Sequence, residues 1–269
     1  MDWFASLSRP RLNLFSPYST ATAAMLFMTL IMILGGAELK KKRTSPVFLI
    51  LFALNFAALI MTLARTAIFA FILSFLFVLL IQKRRPVFWL LGSAALLFLF
   101  SPWLSQGMDF LLGLREQSTE GRLDIYRTSL SMLQGPDWIL GLGIKPREDV
   151  FLVPFGSHSM YISLLFKTGI IGTAVFVSFQ ASLFLKWFRL KSWAVQDRER
   201  YALWKTLGWI FAAMAIWFLT DDLDAPQLVA FLYFSVVGFF EGFCREAVSV
   251  KEEEPAEKNV ILKLSPRGI

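Results

Sequence analysis

Long apolar runs separated by short charged connections dominate the chain. Most of these runs approach the roughly 20 residues that a helix needs to cross about 30 Å of hydrocarbon. The runs are Thr20–Leu39, Pro46–Ala64, Thr66–Ile81, Pro86–Ser105, Ile170–Phe188, Leu203–Thr220 and Leu228–Phe243. The pattern predicts an all-α protein, a multi-pass transmembrane bundle of about seven spans.

The composition supports a membrane protein over a soluble one. Hydrophobic residues make up 56% of the 269 residues and charged residues only 17%, whereas soluble domains are about 45–50% apolar and about a quarter charged. The net charge of +7 could suggest a nucleic-acid partner. The basic residues lie in short loops beside apolar runs, however, so we expect no nucleic acid and attribute them to membrane orientation.

The charges of the connections alternate along the chain. Basic residues fill every second connection, at 40–43, 83–85 and 189–200, whereas residues 102–157 are mildly acidic and residues 221–227 contain three aspartates and no cation. Because positively charged loops stay in the cytoplasm, the acidic connections are predicted to lie outside, with the C-terminus inside.

The sequence divides into a membrane domain and a tail. Residues 1–244 form the predicted membrane domain, which includes an external loop at 106–157, and the charged residues 245–269 are predicted to be a disordered cytoplasmic tail. Within the loop, residues 121–134 favour an amphipathic helix at the membrane surface. Its predicted apolar stripe consists of Leu123, Tyr126, Leu130 and Leu133, and Gly135-Pro136 is predicted to stop the helix.

Four residues on the predicted external side are candidates for chemistry. Arg65 lies in a tight joint between two apolar runs, where it either anchors a helix end at the interface or binds an anion. Arg122 and Arg127 flank the apolar stripe of the loop helix, and His158, the single histidine of the chain, precedes the next apolar run. Guanidinium groups bind phosphates in bidentate fashion, and a neutral imidazole accepts a proton from a hydroxyl. This combination suits a lipid diphosphate donor and a hydroxyl acceptor.

These residues also carry a family resemblance. The chain contains, in order, Leu63-Ala64-Arg65-Thr66, Gly121-Arg122-Leu123 with Tyr126, Gly141-Leu142-Gly143, and His158-Ser159-Met160-Tyr161 with Gly169-Ile170-Ile171-Gly172. This ordered set, which runs from about Arg11 to Gly172, resembles the superfamily of O-antigen ligases and O-antigen polymerases. Members are membrane glycosyltransferases that use undecaprenyl-diphosphate-linked glycans.

The resemblance implies roles for the candidate residues. Arg65 and Arg122 would bind the diphosphate with Arg127 as a neighbour, and His158 would be the catalytic histidine. The reaction would transfer a glycan to a sugar hydroxyl of a glycan or lipid-linked acceptor, with inversion, at the external face of the bacterial inner membrane. The architecture would be GT-C-like, in contact with membrane lipid, with no metal and no other cofactor. Ligation and polymerisation both remain open.

The chain departs from the family pattern in three places. Ser159 follows the histidine where the family often has asparagine, and Tyr18 follows Pro17 where asparagine is common. The family also has about a dozen spans, so we expect this chain to be N-terminally incomplete, beginning after the fifth. Arg9 and Arg11, which the span count puts outside against the charge rule, motivate the same expectation.

Three alternatives remain open from the sequence. The aspartates at 221, 222 and 224 could instead hold a divalent cation, although an acidic outer loop is also what the predicted topology requires. The chain could be a transporter in which Arg65 lines an anion path, but its spans lack the paired polar or broken helices typical of transporters. It could also be a non-catalytic fragment that binds membrane partners.

Overall fold

Every secondary-structure element in the described part of the chain is a helix, which confirms the predicted all-α class. A computed structural model of the protein describes residue 12 and residues 18–40, 45–81, 116–143, 158–223 and 227–264. The helices there are α1 (Ser19–Leu39), α2 (Pro46–Met61), α3 (Arg65–Ile81), α4 (Glu116–Met132), α5 (Asp137–Leu140), α6 (Met160–Arg189), α7 (Lys191–Ala194), α8 (Arg198–Trp217) and α9 (Gln227–Leu264).

Several of these helices have the length and apolar composition of membrane spans. Within the described ranges, three helical stretches are long and apolar enough to cross a bilayer, at Ser19–Leu39, Met160–Ala194 and Leu228–Ser249. The helices α2 and α3 are equally apolar but shorter. The predicted span at 203–220 coincides largely with α8, which does not meet the same criterion, and the predicted span at 86–105 lies outside the described residues. The count of seven therefore stays a prediction.

The bundle core forms where α8 packs antiparallel to both α1 and α3. At one end, Lys205 of α8 pairs with Glu38 near the end of α1. At the other end, the Thr20 hydroxyl near the start of α1 bonds the carboxyl group of Asp221, just beyond α8. We call these the Glu38 end and the Asp221 end. Between them, the Trp209 indole stacks on Phe71 of α3 at a centroid distance of 5.3 Å.

Small residues allow α1 to approach α8 closely. Ala21, Ala23 and Ala24 are fully buried on α1, and a Cβ added at Gly35 would overlap the side chain of Thr206 on α8. Because lipid tails supply no hydrophobic driving force between spans, close backbone approach and van der Waals contact hold such helices together.

Two tryptophans join α6 to α8 near the Glu38 end. The Trp187 and Trp204 rings stack at a centroid distance of 4.6 Å. Each indole Nε1 donates a hydrogen bond of 2.7 Å to the backbone carbonyl of the other residue. Gly208 lies against this pair, and a Cβ there would overlap the Trp187 ring. The pair therefore satisfies both indole donors inside the bundle.

A break at Gly169 divides α6 into two parts. Gly169 adopts φ 62° and ψ −163°, outside helical geometry, and so interrupts the ladder of hydrogen bonds. The segment after α5 bonds the interrupted backbone: the N–H of Leu142 donates to the carbonyl of Phe166 at 2.8 Å, and the N–H of Gly143 to that of Lys167 at 2.9 Å. The break falls where the sequence shows Lys167-Thr168-Gly169 interrupting apolar residues.

The glycines of this region are required by close backbone contact. A Cβ at Gly141 would overlap the backbone of Lys167 and Thr168, and a Cβ at Gly169 would overlap the backbone of Ile139 and Leu140. Both glycines also have positive φ, 76° and 62°, which side-chain-bearing residues rarely adopt. The glycine spacing in the sequence is thus a packing requirement between α5 and α6.

Two described helices lie in segments for which the sequence makes specific predictions. The loop helix is present as α4, but Leu123 is 47% exposed and the buried residues are Ile125, Ser129 and Leu133. The face of α4 that packs within the protein is thus centred near Ile125 and Ser129, and the apolar stripe at the membrane surface stays a prediction. The last helix, α9, continues to Leu264 through residues for which the sequence predicts a disordered tail.

Candidate functional site

The start of α4 brings Arg122 to the Asp221 end of the bundle. Its guanidinium Nη1 donates a hydrogen bond of 3.3 Å to the backbone carbonyl of Thr220, in the turn that follows α8. The side chain is half-buried. Arg122 is therefore held against the bundle by a neutral carbonyl, which leaves donors of the guanidinium available to a ligand.

His158 enters the same region at the start of α6. Its backbone has φ 64°, a left-handed conformation that is uncommon for residues other than glycine. The carbonyl of His158 accepts a short hydrogen bond from the Tyr126 hydroxyl of α4. Helix α4 thus contacts both the turn after α8, through Arg122, and the histidine segment, through Tyr126.

The residues after His158 are fixed to the turn beyond α8. Ser159 is buried and caps α6, its Oγ accepting from the N–H of Ile162 at 3.5 Å. The N–H of Met160 is shared between the backbone carbonyls of Phe218 and Asp221, at 2.9 Å each. The site residues on α4 and α6 therefore meet on the turn at 218–222.

Asp221 and Asp222 are both buried in that turn, and Asp221 is only 9% exposed. Burial raises the pKa of the Asp221 carboxyl to about 6, and the Thr20 hydroxyl and the Arg122 guanidinium partly oppose this rise. Its Oδ1 accepts from the N–H of Asp222 at 3.3 Å. Its Oδ2 is buried with no hydrogen-bond partner among the described residues. A partly protonated carboxyl beside a guanidinium can exchange a proton near neutral pH.

The Tyr126 hydroxyl remains protonated at every working pH. Burial raises the pKa of Tyr126 to about 12; the Arg122 guanidinium opposes the rise, and the carboxyls of Asp221 and Asp222 add to it. The phenol is therefore a constant hydrogen-bond donor to His158, whereas Asp221 can change its charge.

Arg65 lies at the same end of the bundle as this cluster. It begins α3, which runs antiparallel to α8, and its side chain is half-buried. The joint before it is as tight as the sequence predicts: only three residues separate α2 from α3, Leu63 has φ 52°, and the N–H of Ala64 bonds the Thr62 hydroxyl at 3.2 Å.

The structure does not bring Arg127 into the cluster. Its side chain is 79% exposed and pairs with Asp124 one helical turn away, at 3.6 Å. A helix advances 100° per residue, so Arg127 faces away from the side of α4 that carries Arg122 and Tyr126. Arg127 lies on the solvent face of the helix.

The sequence pointed to Arg122 and His158 but gave no role to Tyr126, Thr20 or the approach of Asp221 to Arg122. Asp221 had a signal, since it directly follows an apolar run, but the sequence related it to metal binding or to an acidic outer loop and not to Arg122. No group of three or more metal-ligating side chains is found within the described ranges. Asp224, the third residue of that alternative, lies outside them.

The arrangement combines an anion-binding group with groups that can accept a proton. Arg122 supplies a positive charge at the Asp221 end, and His158 and Asp221 are titratable groups close to its helix. Such a combination can stabilise a departing anion while a hydroxyl loses its proton.

Comparison with known proteins found a family similarity over one part of the chain. The family model described as O-antigen ligase matches residues 50–177, a range that contains Arg65, Arg122, His158 and Gly169. No curated protein matches the chain, and no solved structure matches it. Residues 50–177, which are 128 of the 269 residues, are similar to the O-antigen ligase family. Together with the apolar helices, this match supports an integral membrane protein with an O-antigen ligase-like function in polysaccharide biosynthesis.

Proposed function

We propose that the protein is a glycosyltransferase that moves a glycan from undecaprenyl diphosphate to a sugar hydroxyl. The observation that carries this proposal is that Arg122 of α4 and the segment of His158 both meet the turn beyond α8, Arg122 through the Thr220 carbonyl and the histidine segment through the Met160 N–H. The Tyr126 hydroxyl of α4 also bonds the His158 carbonyl. Both residues fall within the range matched by the O-antigen ligase family. The donor and acceptor are a lipid-linked glycan and a glycan or lipid-linked sugar.

The reaction divides between the two residues. The acceptor hydroxyl attacks the anomeric carbon of the donor glycan, and the bond from that carbon to the diphosphate oxygen breaks, its electron pair remaining on the diphosphate. Arg122 and Arg65 neutralise the diphosphate as it departs. His158 accepts the proton of the hydroxyl. Attack from the face opposite the leaving group inverts the anomeric configuration, and no metal is needed where arginines supply the charge.

Arg127 has a weaker place in this mechanism. Because it is exposed and paired with Asp124, its charge is screened by solvent and salt. We propose that it attracts the anionic donor from the rim of the site and does not contact the diphosphate at the moment of transfer.

The charges of the Glu38 end support an external position for the site. Arg198 of the basic segment 189–200 donates to the backbone carbonyl of Glu38 at 3.4 Å, and Lys40 follows α1 at the same end. The basic connections at 40–43 and 189–200, which are far apart in sequence, thus lie at the same end of the bundle. The positive-inside rule puts this end in the cytoplasm, and the Asp221 end then faces outward, on the external side of the bacterial inner membrane.

Replacement of Arg122 tests the proposal. We expect Arg122→Ala to lower glycan transfer by about 100-fold or more, the size typical for loss of one transition-state donor. Arg122→Lys should recover part of the activity, since lysine keeps the charge but not the bidentate fork. Transfer is measured with the full chain in liposomes that contain an undecaprenyl-diphosphate-linked oligosaccharide and an acceptor glycan.

Arg198→Ala is the matched control, because it removes an exposed arginine from the opposite end of the bundle. It should leave transfer within about twofold of wild type, given that exposed pairs contribute little. Full activity of Arg122→Ala would overturn the proposal. Loss of wild-type activity in EDTA, with recovery on addition of a divalent cation, would replace the arginine mechanism by a metal-dependent one.

A further inference from the structure

The face of α4 that meets the bundle carries two site contacts one helical turn apart. Arg122 and Tyr126 stand at positions i and i+4, which lie above one another on a helix. Arg122 contacts the carbonyl of Thr220, and Tyr126 contacts the carbonyl of His158. A single rigid turn of α4 therefore connects the anion-binding group to the histidine segment.

The backbone of His158 needs such support. A left-handed conformation is unfavourable for a residue with a side chain, and it persists where neighbouring contacts fix it. The Tyr126 hydroxyl bonds the histidine carbonyl, and the Met160 N–H bonds the carbonyls of Phe218 and Asp221. The bonds on the Met160 side come from the turn after α8. The bond from Tyr126 comes from α4, the helix that carries Arg122.

We propose that Tyr126 is a positioning residue: its hydroxyl fixes the His158 backbone at a set distance from the Arg122 guanidinium. This inference rests on the proposed function, in which Arg122 binds the diphosphate and His158 receives the proton. The two groups act at opposite sides of the anomeric carbon. Their separation must therefore match the line from the incoming hydroxyl to the departing diphosphate oxygen.

The Tyr126 hydroxyl can hold the His158 backbone equally well at any pH of the assay, because the hydroxyl stays protonated. A hydroxyl whose pKa is about 12 donates equally at pH 5 and pH 9. By contrast, Asp221 changes charge near neutral pH. The separation set by Tyr126 is thus insensitive to pH, and the pH dependence of transfer comes from other groups.

Tyr126→Phe tests the inference, because it removes the hydroxyl and keeps the ring. We expect kcat to fall by about tenfold, the order of one hydrogen bond in rate terms, with the donor KM within about twofold of wild type. In a His158→Ala background the same change should have almost no effect, since Tyr126 acts through the histidine. Residues that act as a unit give such non-additive losses.

Tyr233→Phe is the matched control. It removes another buried tyrosine hydroxyl, which donates to Gln180 at 3.0 Å between α9 and α6, and kcat should stay near the wild-type value. Thermal unfolding and size-exclusion elution of each variant are measured together with activity, and kcat is expressed per folded protein. A purely structural role for Tyr126 would lower the unfolding temperature and add to the effect of His158→Ala.

The outcomes separate this inference from the proposed function. If the wild type transfers glycan, and Arg122→Ala and His158→Ala each lower transfer strongly but measurably while Tyr126→Phe keeps full kcat, the positioning role is overturned and the function stands. An additive loss in the double variant overturns the role as well. If the wild type transfers no glycan, or Arg122→Ala is fully active, the proposed function fails.

Discussion

The burial of Asp221 makes its negative charge a cost to the folded state. The pKa of this carboxyl rises from 3.8 to about 6 on folding, a difference of about two in pKa. At about 1.4 kcal/mol per pKa unit, the folded state is destabilised by about 3 kcal/mol once the group is ionised. Because the folded state binds the proton more tightly, the free energy of unfolding falls as pH rises from about 4 to about 6 and is level above.

Asp221→Asn removes the charge at nearly constant shape. We expect it to raise the free energy of unfolding at pH 7.5 by up to about 3 kcal/mol, or the apparent melting temperature by about 6–12 °C at 2–4 °C per kcal/mol. At pH 4.5 the gain should shrink to about 1 kcal/mol, since the folded wild-type carboxyl is then protonated while most of the unfolded one is still ionised. The assay is thermal unfolding of both proteins in the same detergent across this pH range.

Asp197→Asn is the control with the opposite sign. Asp197 caps α8 by accepting hydrogen bonds of 2.9 Å from the N–H groups of Glu199 and Arg200, and the Arg200 N–H above all lowers its pKa. Its replacement should therefore not stabilise the protein at pH 7.5. An Asp221→Asn variant that is less stable than wild type, or equally stabilised at pH 4.5 and 7.5, would refute the reasoning.

Two further predictions concern packing. Gly141→Ala should destabilise the protein by several kcal/mol, because the added Cβ would overlap backbone atoms of α6 at a positive φ. Chemical denaturation measures the free energy of unfolding of the variant. A decrease of less than about 1 kcal/mol would contradict the described contact. Glu38→Gln should cost about 2–3 kcal/mol by leaving the largely buried Lys205 ammonium unpaired. Adding Lys205→Met to Glu38→Gln should restore part of that loss, and equal losses in the single and double variants would contradict the pairing.

The helices were predictable because each depends on a local pattern. Apolar runs of about 20 residues fix α1 and the later part of α6, and Pro46 marks the start of α2 as a proline suited to the first turn of a helix. The tight joint before Arg65 followed from the absence of turn residues. These features can be predicted without knowing which helices contact one another.

The contacts of the site could not be read from the chain. Arg122 and Thr220 are 98 residues apart in sequence, and Tyr126 and His158 are 32 apart, so their meeting depends on how α4 lies on the bundle. The packed face of α4 was unpredictable for the same reason. Periodicity gives an apolar stripe, but the packed face also includes the polar residue Ser129, whose hydroxyl bonds the backbone carbonyl of Ile125 within the helix.

Gly208 packs against a side chain and Gly141 packs against backbone, and this difference decides whether a second mutation can compensate for alanine at each position. At Gly208 the atoms that a Cβ would meet belong to the Trp187 ring, so a smaller aromatic residue at 187 can act as a second-site suppressor of an alanine at 208. At Gly141 the atoms belong to the main chain of Lys167 and Thr168, which no change of side chain removes. A suppressor screen starting from Gly141→Ala should therefore return only reversion to glycine. Evolution cannot compensate for a larger residue at this contact between α5 and α6 by changing a neighbouring side chain.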